Sequence, residues 1–217
     1  MTSNLPNDES QVTADVTALQ NALHDELGRI KPVPSSGALV ALCGLPGTGK
    51  SHFAAALASR SPCLVLGSDR LRKILKPQPR YTREEHARVF RAAHTLLESL
   101  LAQGHRVIFD ATNLTDRARE PLRDIAARVN VPLLLVQFDA PPTIVRQRLA
   151  RRSRGEIDDT WSDADWRIYC RLYPGHEPVT GPHLFVDSSQ SIEPALEEMV
   201  KLLERDNPPI SYPERSG

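Results

Sequence analysis

Net charge is the first thing this chain lacks: 27 lysines and arginines stand against 27 aspartates and glutamates. No global field therefore draws nucleic acid or an acidic membrane surface, and any such contact has to come from a local patch. Cysteine is scarce. Cys43, Cys63 and Cys170 make an odd number with no CxxC spacing, which excludes a disulfide framework and a zinc ribbon. Two of them fall in predicted buried strands, where cysteine packs as a small hydrophobe. The seven histidines form no HExxH or HxH cluster, so no metal-ligand set is visible beyond Mg²⁺ at a nucleotide. No apolar run approaches the roughly 18 residues of a membrane-spanning helix, and the N-terminus has no basic stretch followed by an apolar one. A soluble, cytoplasmic protein is expected, with 217 residues giving one sizeable α/β domain plus extensions.

What is present begins with Gly44-Leu45-Pro46-Gly47-Thr48-Gly49-Lys50-Ser51, a match to GxxxxGK[ST]. Ala38 to Cys43 before it reads as a strand buried on both faces, and His52 to Ala58 after it as a helix packed on the sheet. That setting is what a phosphate-binding loop requires; a glycine-rich turn that binds nothing is the plainer alternative. The glycines let successive N–H groups turn toward phosphate oxygens at a helix N-terminus. Lys50 then reaches the β- and γ-phosphates of ATP, and the Ser51 hydroxyl ligates Mg²⁺.

The rest of the chain alternates strands and helices. Residues 1–10 are polar and expected to be mobile. Val12, Val16, Leu19, Leu23, Leu27 and Ile30 recur at steps of three and four, a helical stripe ending near Gly28 or Ile30. The stripe either docks on the main domain or pairs in a dimer or with a partner, and deleting residues 1–30 is expected to leave the chemistry intact. Lys31 to Gly37 breaks that helix. Further strands are predicted at 62–66, 106–110, 132–138 and 183–187. Helices are predicted from Thr82, whose capping box with Glu85 opens a helix to about Gln103, from about Asp116 to Val129, from Pro141-Pro142 to Arg152, and from Ile192 to Glu204. The expected division is an N-terminal helix and linker (1–36), a phosphate-loop domain (37–205) with a lid at about 146–177, and a disordered tail (206–217). Five strands alternating with helices give a parallel sheet covered on both faces, with ligands outside the carboxyl ends of the strands.

Those ends carry acids: Asp69, Asp110 and Asp187, which are expected to converge on one crevice. Phosphoryl transfer needs charge neutralisation at the γ-phosphate and a group that orients the attacking hydroxyl. Asp69, after the second strand, suits that base, or else caps the next helix. Arg72, three residues on, could hold an acceptor phosphate or the γ-phosphate, or lie on a solvated helix face. Asp110 ends three apolar residues as a Walker B acid does, and could hold Mg²⁺ through water. Thr112 and Asn113 offer hydrogen bonds to substrate, or simply make the turn. Arg146, Arg148, Arg151, Arg152 and Arg154 form a basic run, a lid over the donor phosphates in which several members are surface charge. Trp161, Trp166, Tyr169 and Tyr173 either stack on a base or pack a small core.

GLPGTGKS, SDRLR with Asp69 and Arg72 as DxxR, IFDATN and the arginine-rich lid together resemble P-loop kinases related to polynucleotide 5′-hydroxyl kinases, over about residues 38–187. The resemblance implies a nucleoside-kinase-like P-loop NTPase fold and ATP with Mg²⁺ bound by Lys50 and Ser51. It also implies Asp69 as general base, Arg72 at phosphate near the acceptor, and Arg148 or Arg152 on the donor phosphates. Similar layouts occur in zeta toxins, gluconate-type kinases and antibiotic phosphotransferases, so a small-molecule acceptor is the alternative to a 5′-hydroxyl nucleic acid. An ATP-binding regulatory protein is the alternative of another class.

Overall fold

The computed structural model describes residues 6–32, 37–156 and 161–204. Five parallel strands, β1 (Ala38–Cys43), β2 (Leu64–Gly67), β3 (Arg106–Asp110), β4 (Leu133–Asp139) and β5 (Leu184–Asp187), lie in the order β2-β3-β1-β4-β5. β1 is central and buried at all six positions. Its alternation divides the core in two, as the period-2 geometry of a strand requires. Leu39, Ala41 and Cys43 join one apolar cluster and Ala38, Val40 and Leu42 the other.

The second of these clusters is closed by α3 (Lys50–Ala58), through Phe53, Ala54 and Leu57, and by α9 (Glu193–Glu204), through Leu196, Met199 and Leu203. The first is closed by α4 (Ser68–Leu75), α5 (Arg83–Ala102) and α6 (Asp116–Arg128), together with the N-terminal helices. The Thr82 hydroxyl accepts the Glu85 N–H and so opens α5 as expected, but the Glu85 carboxylate does not complete a capping box; it turns to Arg72 and to the Arg80 N–H.

The N-terminal stripe is part of this core. Helix α1 (Pro6–Ala22) starts at Pro6, so residues 6–10 are helical where mobility was expected, and the helix breaks at Leu23 before α2 (His24–Arg29). Leu19 and Leu23 are buried in the first cluster, with Val16, Leu27 and Ile30 packed against it. Asp15, also buried, takes two hydrogen bonds from Arg88 of α5, at 2.7 and 2.6 Å, and that pairing holds its carboxyl below the usual range. The chain therefore covers the stripe itself, which removes it as a free dimer face.

A third, smaller cluster caps the carboxyl ends of the strands. Leu45 of the loop meets Val145 and Leu149 of α7 (Pro142–Ser153) and Tyr169 of α8 (Trp166–Leu172). Trp166 stacks on Tyr169 at 4.7 Å, so these two rings are packing, while Trp161 is 44% exposed. Cys43 and Cys63 are buried and Cys170 exposed, all as free thiols. The middle of the expected linker (33–36), the acidic end of the basic run (157–159) and the tail (206–217) lie outside the described residues.

Candidate active site

The loop after β1 is shaped by two glycines that no other residue could replace without a shift. Gly44 has φ +147°, and a Cβ there would sit 2.7 Å from the Phe138 carbonyl oxygen. Gly47 has φ +81°, and its Cβ would meet Val145 and Leu149 of α7 at 3.0 Å. Both values lie where L side chains are strained. With Gly49 at φ +91°, the turn delivers the chain into the first turn of α3. The Leu45 carbonyl accepts from Thr48 Oγ1 at 2.8 Å and from Lys50 Nζ at 2.9 Å. Lys50 is only 8% exposed. Burial pulls its ammonium below the ordinary lysine value, opposed by the charges of Asp110 and Asp69. Pro46 is buried and the Ser51 side chain is exposed at the start of α3.

Asp110 is the last residue of β3, in register with Leu42 of β1 and Gly67 of β2. Asp69 lies half-buried in the first turn of α4. It does not cap that helix: the N-cap is Gly67, with no side-chain bond. Two of the three expected acids thus gather around Lys50. The third, Asp187, faces its own loop, accepting from the Ser189 N–H at 2.9 Å and hydroxyl at 2.6 Å.

Thr112 and Asn113 hold the turn together. The Thr112 carbonyl accepts the Gly44 N–H at 2.9 Å. Asn113 is 3% exposed, adopts φ +44°, and donates from Nδ2 to the Leu42 carbonyl at 2.7 Å. Asparagine tolerates this left-handed conformation better than most residues. Its carbonyl in turn accepts from Arg119, a fully buried arginine that also donates to the carbonyls of Glu177 and Pro178.

Arg72 points inward. It is 5% exposed; Nη1 donates to Glu85 Oε1 at 2.9 Å and Nη2 lies 3.3 Å from His86 Nδ1. Its two terminal nitrogens are thus engaged, while Nε is buried without a hydrogen-bond partner. The lid arginines separate cleanly. Arg148 donates to the Ser188 hydroxyl at 2.8 Å and the Ser188 carbonyl at 2.6 Å, and reaches the Gly47 carbonyl at 3.5 Å. Arg152 donates to the Ala164 carbonyl, and its positive charge acts on Lys50. Arg151 and Arg154 pair with Glu156 in solvent, and Arg146 lies 5.8 Å from the Trp166 ring.

Ser188, Glu85 and Asp163 hold side chains of the candidate site or of the segments beside it, a role that sequence reasoning did not give them. Ser188 follows an expected strand-end acid, yet nothing in its own neighbourhood announces an arginine 40 residues away. Asp163 accepts from Tyr81 Oη at 2.6 Å and Lys73 Nζ at 2.9 Å, tying the lid to α4 and the segment after it.

A glycine loop, a buried lysine at a helix start and an acid ending the neighbouring strand are now in one place. A family model described as AAA domain matches residues 39–167, more than half of the chain. The chain belongs to this AAA domain family. None of the curated proteins matches it. Among solved structures, it is similar to the APS kinase CysC of Mycobacterium tuberculosis in complex with AMPPNP and APS (24% identity, TM-score 0.60, 79% of this chain and 100% of that one). It is also similar to a gluconokinase from Sinorhizobium meliloti (19%, TM-score 0.54, 77% and 91%). Chaetomium thermophilum Kti12, solved with ADP-AlF3, is a third neighbour (17%, TM-score 0.60, 77% and 100%). At these identities the likeness is one of fold: the AAA domain here is a P-loop NTPase fold of kinase-like layout.

Proposed function

We propose that this protein is an ATP-dependent phosphotransferase that moves the γ-phosphoryl group to a hydroxyl acceptor. The observation that carries the reading is the placement of two carboxylates whose charges act on the buried Lys50, Asp110 at the end of β3 and Asp69 in the first turn of α4 just past β2. One acid suffices for a nucleotide site; a second acting on the same lysine suits a bound hydroxyl.

Lys50, now bonded to the Leu45 carbonyl, exchanges that partner for phosphate oxygens, and the loop N–H groups orient the donor. Ser51 and Asp110 are the residues that would hold Mg²⁺, which supplies charge neutralisation at the β- and γ-phosphates. They fit: the serine side chain is exposed at the helix start and the carboxylate ends the strand beside the lysine. Asp69 orients the acceptor and takes its proton as the acceptor oxygen bonds to the γ-phosphorus, the β,γ-bridging bond breaks and ADP departs. Arg152, whose charge reaches Lys50, is assigned to the donor phosphates, and Arg148 to bracing the loop against Ser188.

The likeness to polynucleotide 5′-hydroxyl kinases rests on the phosphate loop, the DxxR pair, IFDATN and the arginine-rich lid together, and within it Arg72 is the residue assigned to phosphate near the acceptor. The Arg72–Glu85 bond favours the alternative, a small-molecule acceptor, because Arg72 is already matched. A regulatory nucleotide-binding protein needs no acid on the acceptor side. The test is transfer of labelled γ-phosphate from ATP with Mg²⁺ to 5′-hydroxyl DNA and RNA, nucleosides, sugars and aminoglycosides. Label on an acceptor is expected. ATP hydrolysis without a labelled acceptor, at the same rate in Asp69→Asn, contradicts the reading.

A further inference from the structure

We propose that the acceptor is an uncharged, ring-bearing alcohol, its ring laid on the face formed by Tyr81 and Trp161 and its hydroxyl presented to Asp69. This deepens the kinase reading above and rests on it.

Four large hydrophobic side chains are exposed among the described residues, and two of them, Tyr81 at 50% and Trp161 at 44%, belong to one wall. They come from distant parts of the chain. Asp163, two residues beyond Trp161, holds the Tyr81 hydroxyl at 2.6 Å and Lys73 at 2.9 Å. Arg70 lies 5.6 Å from the Trp161 ring and Arg72 5.1 Å from the Tyr81 ring. Arg70, Arg72 and Lys73 all stand on α4, the helix whose first turn carries Asp69. Tyr81 adopts φ +55°, a left-handed conformation that L side chains other than asparagine and aspartate rarely hold. A cation behind each ring fixes the ring's orientation and leaves aromatic surface toward solvent, as a stacking platform requires.

The charges decide what sort of ring. Arg70 is held by two bonds to Glu26 of α2, at 2.9 and 2.5 Å. Arg72 is paired with Glu85 and Lys73 with Asp163, each at 2.9 Å. The three cations of α4 are thus matched by three carboxylates, and Asp69 adds a fourth negative group to the wall. A phosphate arriving here would meet cations whose terminal nitrogens already face carboxylates, although the buried Nε atoms of Arg70 and Arg72 have no partner, and it would lie beside Asp69. A neutral ring meets no such barrier, and the pocket chemistry of apolar faces with a few fixed polar groups suits it.

The experiment compares adenosine, uridine and glucose with 3′-AMP and a 5′-hydroxyl oligonucleotide as acceptors of labelled γ-phosphate, at low and high salt. Label on the uncharged compounds is expected, with an acceptor KM indifferent to salt. Trp161→Ala is expected to raise that KM about tenfold, the loss of one stacked ring, and to leave the KM for ATP unchanged. Label confined to the phosphate-bearing acceptors, with a KM that rises as salt screens the contact, overturns the inference and leaves the kinase reading standing. No label on either set, with ATP hydrolysis equal in wild type and Asp69→Asn, overturns both. As a readout free of turnover, adenosine is expected to quench the Trp161 fluorescence of Trp166→Phe; quenching by 3′-AMP alone overturns the inference.

Discussion

His94 shows what burial does to one residue outside the site. It lies on α5, edge-on to Phe90 with ring centroids 5.8 Å apart and 5.9 Å from Phe109, and its Nε2 has no hydrogen-bond partner. Burial, and then the nearby His86, pull its pKa from 6.5 to about 4. The unfolded chain therefore binds a proton below pH 6.5 that the folded chain refuses until about pH 4. Stability falls as pH drops through that window, by up to about 3 kcal/mol. His94→Phe keeps an aromatic ring among aromatic rings and removes the titration. Urea unfolding of the variant at pH 7 and pH 4.5 is expected to show a difference about 2 kcal/mol smaller than in wild type. His86 and His105 are displaced in the same direction by burial, so part of the slope persists; an unchanged slope contradicts the account of His94.

At the scale of elements, α1 shows where local reasoning stops. Its apolar spacing was legible, but what covers the stripe was not, since the answer lies on α4 and α5. Leu19 is fully buried, and Leu19→Ala is expected to cost about 2–5 kcal/mol, measured by chemical denaturation. Deleting residues 1–30 uncovers the face of α4 and α5, so loss of cooperative unfolding is expected, against the sequence-based expectation that chemistry survives. A truncated chain that melts as sharply as the full one would restore the earlier view. The strands and the phosphate loop were readable because their signals are local: six consecutive buried residues, glycines at fixed spacing, a capping threonine. The Arg72–Glu85, Arg148–Ser188 and Arg119 contacts were not readable, because each pairs residues that only the folded sheet brings together. Asn113 shows the middle case: a turn or a substrate contact fitted the sequence, and its Nδ2 donates to the Leu42 carbonyl of β1 at 2.7 Å, a contact between distant parts of the chain.

For the whole molecule, the proposed donor site and the proposed acceptor wall are joined through the segment that follows α7. The lid helix α7 packs on the loop at Gly47, and Asp163 ties the lid segment to Lys73 and Tyr81 beside Asp69. Nucleotide binding is therefore expected to stabilise the molecule as one unit. A non-hydrolysable ATP analogue with Mg²⁺ at 100 times its Kd adds about 2.7 kcal/mol, several degrees in Tm for a chain of this size. Wild type and Asp69→Asn are expected to show this shift and Lys50→Ala to lose it, in a thermal melt. The most direct test of the account sets binding against transfer in a single protein, Asp69→Asn. Its ATP affinity is expected to match wild type while transfer of γ-phosphate to the acceptor falls by at least a hundredfold. Full transfer by Asp69→Asn, or loss of ATP binding together with transfer, would contradict the assignment of Asp69 to the acceptor hydroxyl.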